Sequence, residues 1–172
     1  MTQQKGFTLT ELLVIIGIIA VMTAVVFPNI RLGDKRLALE RATQKLAQDV
    51  GRAAELALRV QEYNCGAGSV SGYGIYFDIN TPREYLLFVD CNDNQIYDLS
   101  ADGISETIEL ESGVVISALS ISPVFSVVFV PPDPEAFFNP GSFTEAEVTL
   151  REQGGTATKV VKMNSRGLID ID

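Results

Sequence analysis

Glu11 is the residue whose type and position indicate chemistry most clearly, because it lies at the edge of a strongly apolar run that ends at Phe27. A carboxylate carried into lipid costs about 3 kcal/mol or more, so such a charge needs a partner. Cleavage of the chain between Gly6 and Phe7 would supply one. The new α-amino group of Phe7 would neutralise the Glu11 carboxylate of a neighbouring copy.

The segment Gly6-Phe7-Thr8-Leu9-Thr10-Glu11, which follows a short polar leader, resembles the prepilin peptidase site of type IV pilins. The resemblance implies cleavage after Gly6, methylation of the new amino group of Phe7, and a role for Glu11 in assembly. It also implies a helix bend at Pro28. The implied partners are prepilin peptidase, other pilin or pseudopilin subunits, the inner-membrane assembly platform and membrane lipid.

The apolar run has two other interpretations. Residues 7–30 would extend roughly 36 Å as a helix, which is enough to span a bilayer. A secretory signal peptide would be cut near Ala24, but Glu11 then lies at the edge of its apolar region. A plain signal anchor leaves Glu11 without a partner. The pilin interpretation predicts a single-pass protein of the bacterial inner membrane with a periplasmic or extracellular head, assembled into a pilus or pseudopilus.

Residues 31–64 form the predicted stalk, an amphipathic helix that follows the membrane or assembly helix of residues 7–30. Apolar residues recur at intervals of three and four, which places them on one face of a helix. They are Leu39, Ala42, Leu46, Val50, Ala53, Ala57 and Val60. A narrow stripe of this kind is suited to packing against one sheet.

Residues 1–6 are the predicted leader, and the assembly helix and the stalk follow it. Residues 65–172 form a predicted β-rich head. The predicted fold class is therefore α+β and pilin-like, with a long helix packed on an antiparallel sheet. Short β-rich runs are separated by turn residues. The order of the segments "YGIYFD", "YLLFVDCNDN" and "VVKMNSRGLI" is similar to that in minor pseudopilins of the GspH/FimT type. Residues 131–141 are predicted to be a proline-rich loop that exposes Phe137 and Phe138.

The head contains the two cysteines of the chain, Cys65 and Cys91. In an exported protein they predict a disulfide, which on the chain-entropy account stabilises the fold by roughly 3 kcal/mol. The alternative is a pair of buried, unpaired thiols.

A segment rich in Asp and Asn has the oxygen spacing of an EF-hand-like calcium loop. The residues at positions 1, 3, 5 and 9 of that pattern are Asp90, Asn92, Asn94 and Asp98. Gln95 stands where the loop needs Gly, and Ala101 stands where it needs a bidentate Glu. The alternative is an Asx-rich turn, in which Asp and Asn side chains bond to the nearby backbone. Ca²⁺ is thus a candidate ligand, and no other cofactor is expected.

Composition argues against an enzyme and against a nucleic-acid binder. The chain has no His, and no phosphate-binding loop or metal-type Cys spacing is present. From residue 63 to the end the charge balance is −11, which does not attract phosphate backbones. The favoured function is a structural one, a minor subunit of a type II secretion pseudopilus or a type IV pilus. The alternative is a membrane-anchored extracytoplasmic binding module or an adhesin.

Overall fold

A computed structural model of the chain describes residues 6–66, 68–132 and 135–172, and the side chains of residues 26–33 lie outside that description. The chain divides into two compact units, of which the first ends at Arg36 and the second extends from Leu37 to Asp172.

One helix, α1, extends from Leu9 to Leu58. Its residues from Leu37 onwards belong to the second unit, where Ala- and Leu-rich sequence gives good helix propensity. The predicted stripe is the buried face there, and the stripe residues from Leu39 to Ala57 are all at most 4% exposed. Thr43 is also buried on this face, and its hydroxyl donates to the carbonyl of Leu39 at 2.7 Å.

Val60 is an exception to the predicted stripe, because it lies beyond the end of α1 and is 57% exposed. The amide of Val60 donates to the Ala57 carbonyl, and the amide of Gln61 donates to the Leu56 carbonyl. This is the Schellman arrangement that ends many helices with a left-handed residue. Val60 adopts the left-handed conformation with φ of 47°, although glycine is the usual residue there.

In the described part of the second unit, nine strands follow: β1 (Gly72–Asp78), β2 (Glu84–Asp90), β3 (Gly103–Glu109), β4 (Val114–Leu119), β5 (Val124–Val130), β6 (Glu135–Asn139), β7 (Glu145–Glu152), β8 (Thr158–Asn164) and β9 (Ile169–Ile171). They form a five-stranded sheet in the order β3-β2-β1-β5-β6 and a four-stranded sheet in the order β4-β7-β8-β9. All neighbouring strands are antiparallel. The predicted α+β class, with a helix packed on antiparallel sheet, is confirmed.

The helical part of the second unit contacts both sheets. From β2, the hydroxyl of Tyr85 donates to the Asp49 carboxylate at 2.6 Å, and both residues are buried. From β3, Glu106 pairs with Arg52 at 2.7 Å. From β8, Lys159 lies 3.9 Å from the Glu40 carboxylate. One helix therefore contacts β2 and β3 of one sheet and β8 of the other, and buried residues of both sheets share one hydrophobic core with it.

The prediction for residues 131–141 was wrong in its central part. Glu135–Asn139 is strand β6, and its side chains alternate between core and surface. Phe138 packs in the core and is 2% exposed, whereas Phe137 is half-buried on the opposite face. Prolines on either side hid the short strand, since proline is rare inside central strands. An edge strand tolerates proline nearby, and β6 lies at the sheet edge.

Candidate functional site at the start of the helix

Glu11 and Thr8 form a reciprocal capping arrangement at the first turn of α1. The Glu11 carboxylate accepts from the Thr8 amide at 3.1 Å and from the Thr8 hydroxyl at 2.9 Å. In return, the Glu11 amide donates to the Thr8 hydroxyl oxygen at 3.3 Å. This is a capping box, in which a Thr at the helix cap and a Glu three residues later satisfy each other's backbone donors. A carboxylate here also interacts favourably with the positive end of the helix dipole.

Sequence reasoning missed this contact, although the signal was present. Thr-x-x-Glu before an apolar run is the sequence signature of a capping box. Glu11 is thus not without hydrogen-bond partners in the single chain, in contrast to the prediction from the sequence. In the single chain Glu11 already has hydrogen-bond donors from Thr8, but these donors are neutral. Its negative charge is not neutralised by them.

The peptide bond between Gly6 and Phe7 lies just before this cap. Phe7 is 81% exposed. In the described part of the chain, no atom beyond the neighbouring residues lies within 4 Å of where a side chain on Gly6 would begin. A protease would find this bond open. After cleavage there, the amine of Phe7 would lie one residue from the Thr8 amide that bonds Glu11.

The helix that follows presents apolar side chains on all sides. Every large apolar residue from Leu9 to Val25 is between 44% and 80% exposed. Continuous exposed apolar surface of this extent marks a surface that contacts protein or lipid. Thr23 does not interrupt it, because its hydroxyl donates to the Ile19 carbonyl of the same helix at 2.7 Å.

Within the described residues, no helix is both long enough and apolar enough to cross a membrane. The predicted membrane helix of residues 7–30 and the predicted bend at Pro28 both involve residues 26–33, whose side chains lie outside the description. Both stay predictions.

Cys65 and Cys91 are joined in a disulfide, the pairing that the sequence favoured over free thiols. Their Cα atoms are 5.5 Å apart, within the usual range for disulfides. The bond ties the segment after α1 to the end of β2. It thereby also fixes the first residues of the Asp- and Asn-rich loop that follows Asp90.

The structure brings together the four residues predicted to bind Ca²⁺, but their oxygens accept hydrogen bonds from the loop itself. Buried Asp90 accepts from the amides of Asn92, Asp93 and Gln95 at 3.1, 2.8 and 2.9 Å. Asp98 accepts from the side-chain amides of Asn92 and Asn94 at 3.2 and 2.5 Å. These bonds are those of an Asx-rich turn.

Asp102, a possible substitute for the missing bidentate Glu, is used in the same way. Its carboxylate accepts from the amides of Cys91 and Asp98 at 3.1 and 2.8 Å. Burial raises the pKa of Asp102, and those two hydrogen bonds partly oppose the rise. No group of three or more His, Cys, Asp or Glu side chains in the described ranges is placed to hold a metal ion. The Ca²⁺ site stays a prediction.

Two comparisons with known proteins found a match. Residues 1–27 match the family described as "Prokaryotic N-terminal methylation motif". The chain is 37% identical over 101 residues to the pilin-like protein PilA1 of Thermus thermophilus. That alignment covers 55% of this chain and 54% of the relative, so the chain spans about half the length of the curated relative that it matches.

No solved structure is a significant match to the chain. The motif and the relative confirm the predicted resemblance to type IV pilin-like proteins. Neither bears on the finer resemblance to the GspH/FimT type.

Proposed function

We propose that this type IV pilin-like chain is a minor subunit of a type II secretion pseudopilus or a type IV pilus. Prepilin peptidase cleaves it after Gly6 and methylates the amine of Phe7. The subunit is held in the inner membrane by its N-terminal helix until it is assembled, with its head on the periplasmic or extracellular side. The observation that carries the proposal is the position of Glu11, between an open Gly6–Phe7 bond and an exposed apolar helix.

The exposed helix supplies the attraction between subunits. Each side chain from Leu9 to Val25 loses contact with lipid or water when identical helices pack together, and small residues such as Gly17 allow close approach. Among the residues that the structure describes, no side-chain atom lies within 4 Å of where a Cβ on Gly17 would be, so this face is open to a neighbouring helix. Packing of apolar side chains alone does not fix how far one helix is shifted along its axis relative to its neighbour.

Glu11 supplies that specificity through its charge. A neutral capping bond from Thr8 does not compensate a carboxylate that enters an apolar bundle, and an uncompensated charge there is strongly unfavourable. The methylated amine of Phe7 from a neighbouring subunit is a cation, and it fixes the axial position at which two subunits meet. The same amine is absent before cleavage, so unprocessed subunits do not assemble.

Glu11→Gln tests this proposal, because glutamine also serves at this position of a capping box. The variant keeps the helix cap and loses only the charge. We expect normal cleavage by prepilin peptidase but little incorporation into filaments, measured by immunoblotting of sheared filament fractions. Glu55→Gln is the matched control, since Glu55 is an exposed glutamate of the same helix that pairs with Arg59. Normal incorporation of Glu11→Gln would contradict the proposal.

A further inference from the structure

A cavity of about 300 Å³ lies where four segments of the second unit meet. These segments are strand β6, the loop between β6 and β7, the β8–β9 turn at Ser165, and the Asp- and Asn-rich loop at Gln95. Pockets for small molecules span roughly 300–1,000 Å³, so a cavity of this size admits one small ligand or one unit of a larger one.

Hydrogen bonds between the four segments fix the shape of the cavity. The side-chain amide of Asn139 in β6 donates to the Gln95 carbonyl. The Ser165 amide donates to the carbonyl of Thr144 at 2.8 Å, and the Ser165 carbonyl accepts from the amide of Ala136 at 2.9 Å. The cavity is therefore formed before any ligand enters, as is usual for small-molecule sites.

The polar side chains around the cavity are not used by the fold. Within the described residues, four side chains of the lining have neither a hydrogen bond nor an ion pair: Gln95, Glu135, Ser142 and Ser165. They supply one amide, one carboxylate and two hydroxyls, so they offer both donors and acceptors. Glu135 is the only charged residue among the described residues of the lining.

The ring of Phe143 forms an aromatic wall of the same cavity, and it is 47% exposed. A Cβ on Gly141 would lie 2.7 Å from this ring, and Gly141 has a φ of 101°. Only glycine therefore allows the ring to lie directly against the backbone at position 141. The backbone supports the ring from one side while the ring stays partly open to solvent.

An aromatic wall beside several unpaired polar groups matches the surface of a sugar. A hexose has a face of C–H groups that packs on an aromatic ring, and its hydroxyls both donate and accept hydrogen bonds. An apolar ligand would instead cover the polar side chains without pairing them, which is unfavourable. An acidic ligand would be repelled by Glu135.

We propose that this cavity binds one neutral sugar residue, with its C–H face on Phe143 and its hydroxyls bonded to Gln95, Glu135 and the two serines. The site lies within the second unit. It does not depend on Glu11 or on assembly, so its test is separate from that of the filament.

Saturation-transfer NMR on the full chain tests the proposal, in micelles of a detergent that carries neither a sugar nor a quaternary ammonium group. The probes are the methyl glycosides of glucose, galactose and mannose, with sialic acid and choline as charged competitors. We expect at least one glycoside to bind saturably, with a dissociation constant on the order of 1 mM, and with the strongest transfer to its C–H face. No saturable signal from any glycoside overturns the proposal. Tighter binding of sialic acid or choline than of every glycoside also overturns it.

Phe143→Ala removes the aromatic wall without altering a core position, and it should weaken glycoside binding about tenfold. Leu168→Ala is the matched control, because Leu168 is 66% exposed and lies outside the lining of this cavity. The control should bind as the native chain does. Unchanged affinity in Phe143→Ala would place the sugar elsewhere and contradict the proposal.

Glu135→Gln tests the preference for a neutral ligand. Removal of the charge should shift the ratio of glycoside to sialic acid affinity by about fivefold towards sialic acid. Glu109→Gln makes the same change on an exposed residue of β3, at the opposite edge of the sheet, and should leave the ratio unchanged. An unchanged ratio in Glu135→Gln would mean that the sugar does not lie beside Glu135, which contradicts the proposal.

Discussion

At the scale of single residues, Val60 is held in a backbone conformation that a β-branched side chain disfavours. Glycine adopts this conformation without steric cost and is the usual residue at this helix-ending position. Val60→Gly should therefore raise the free energy of unfolding by about 1 kcal/mol. The urea midpoint of the full chain in detergent measures the change.

Gln48→Gly, at an exposed position inside α1, is the control for the Val60 variant. Glycine inside a helix should lower stability by about 1 kcal/mol. If both glycine variants destabilise the chain, the left-handed conformation of Val60 is not the source of strain.

Tyr85 gives a prediction about alkaline pH. Burial, and then the hydrogen bond to Asp49, raise the pKa of Tyr85 above its ordinary value of 10. The folded state favours the neutral phenol of Tyr85. This preference adds fully to the free energy of unfolding below pH 10, and the added stability is lost as the pH rises further. Above pH 10 this contribution should fall by about 1.4 kcal/mol per pH unit.

Tyr85→Phe should lack this dependence, and it should also be about 1 to 3 kcal/mol less stable near neutral pH because buried Asp49 loses its donor. The measurement is urea unfolding of both proteins from pH 8 to 11. Comparison with the variant is needed because burial raises the pKa of Tyr73, Tyr76 and Tyr97 as well. Parallel curves for the two proteins would contradict the assignment.

Residue-level predictions from the sequence succeeded where one residue type has few possible roles. Glu11 at the edge of an apolar run drew the prediction to the segment that the N-terminal methylation motif matches. The roles of Gly6, Phe7 and Glu11 in cleavage and assembly stay predictions. The contact between Thr8 and Glu11 was not predicted, because the carboxylate has a possible role at longer range as well as in the local helix cap. Both roles are compatible, since a capping bond leaves the charge in place.

At the scale of elements, the disulfide supports the connection between α1 and the five-stranded sheet. Cys65 and Cys91 are separated by 26 positions, and on the chain-entropy account closing such a loop contributes about 3 kcal/mol. The variant with both cysteines changed to serine should lose about that much in urea unfolding. Added reductant should destabilise the native protein and leave the variant unchanged, and an equal effect on both would contradict this role.

The two neighbouring phenylalanines of β6 should respond differently to truncation. Phe138→Ala removes a ring from the core and should cost about 3 to 5 kcal/mol. Phe137→Ala removes a half-buried ring from the other face and should cost less than half as much. Circular dichroism during urea titration measures both. Equal losses of stability in the two variants would contradict the placement of Phe138 in the core and Phe137 on the opposite face of β6.

Helices and strands could be predicted from the sequence where apolar residues recur at a regular spacing. The stripe from Leu39 to Ala57 identified the buried helix face, because packing on a sheet requires that spacing. Strand β6 was not predictable in this way. It is five residues long, and the flanking prolines removed the usual signals.

At the scale of the whole molecule, sequence patterns predicted the α+β class but not the division into two sheets. Alternation along a strand indicates one buried face without specifying which strands are neighbours. The pairing of β1 with both β2 and β5 depends on contacts between distant parts of the chain. Sheet order and the position of β6 at the sheet edge therefore came from the structure alone.

The central claim is that cleavage after Gly6 creates the cation that Glu11 requires. Its most direct test is the intact mass and N-terminal sequence of the protein recovered from cells that contain prepilin peptidase. We predict a chain that begins at Phe7 and carries one added methyl group, and the uncleaved chain in cells that lack the peptidase. A protein that retains residues 1–6 when the peptidase is present would contradict the claim and the assignment as a filament subunit.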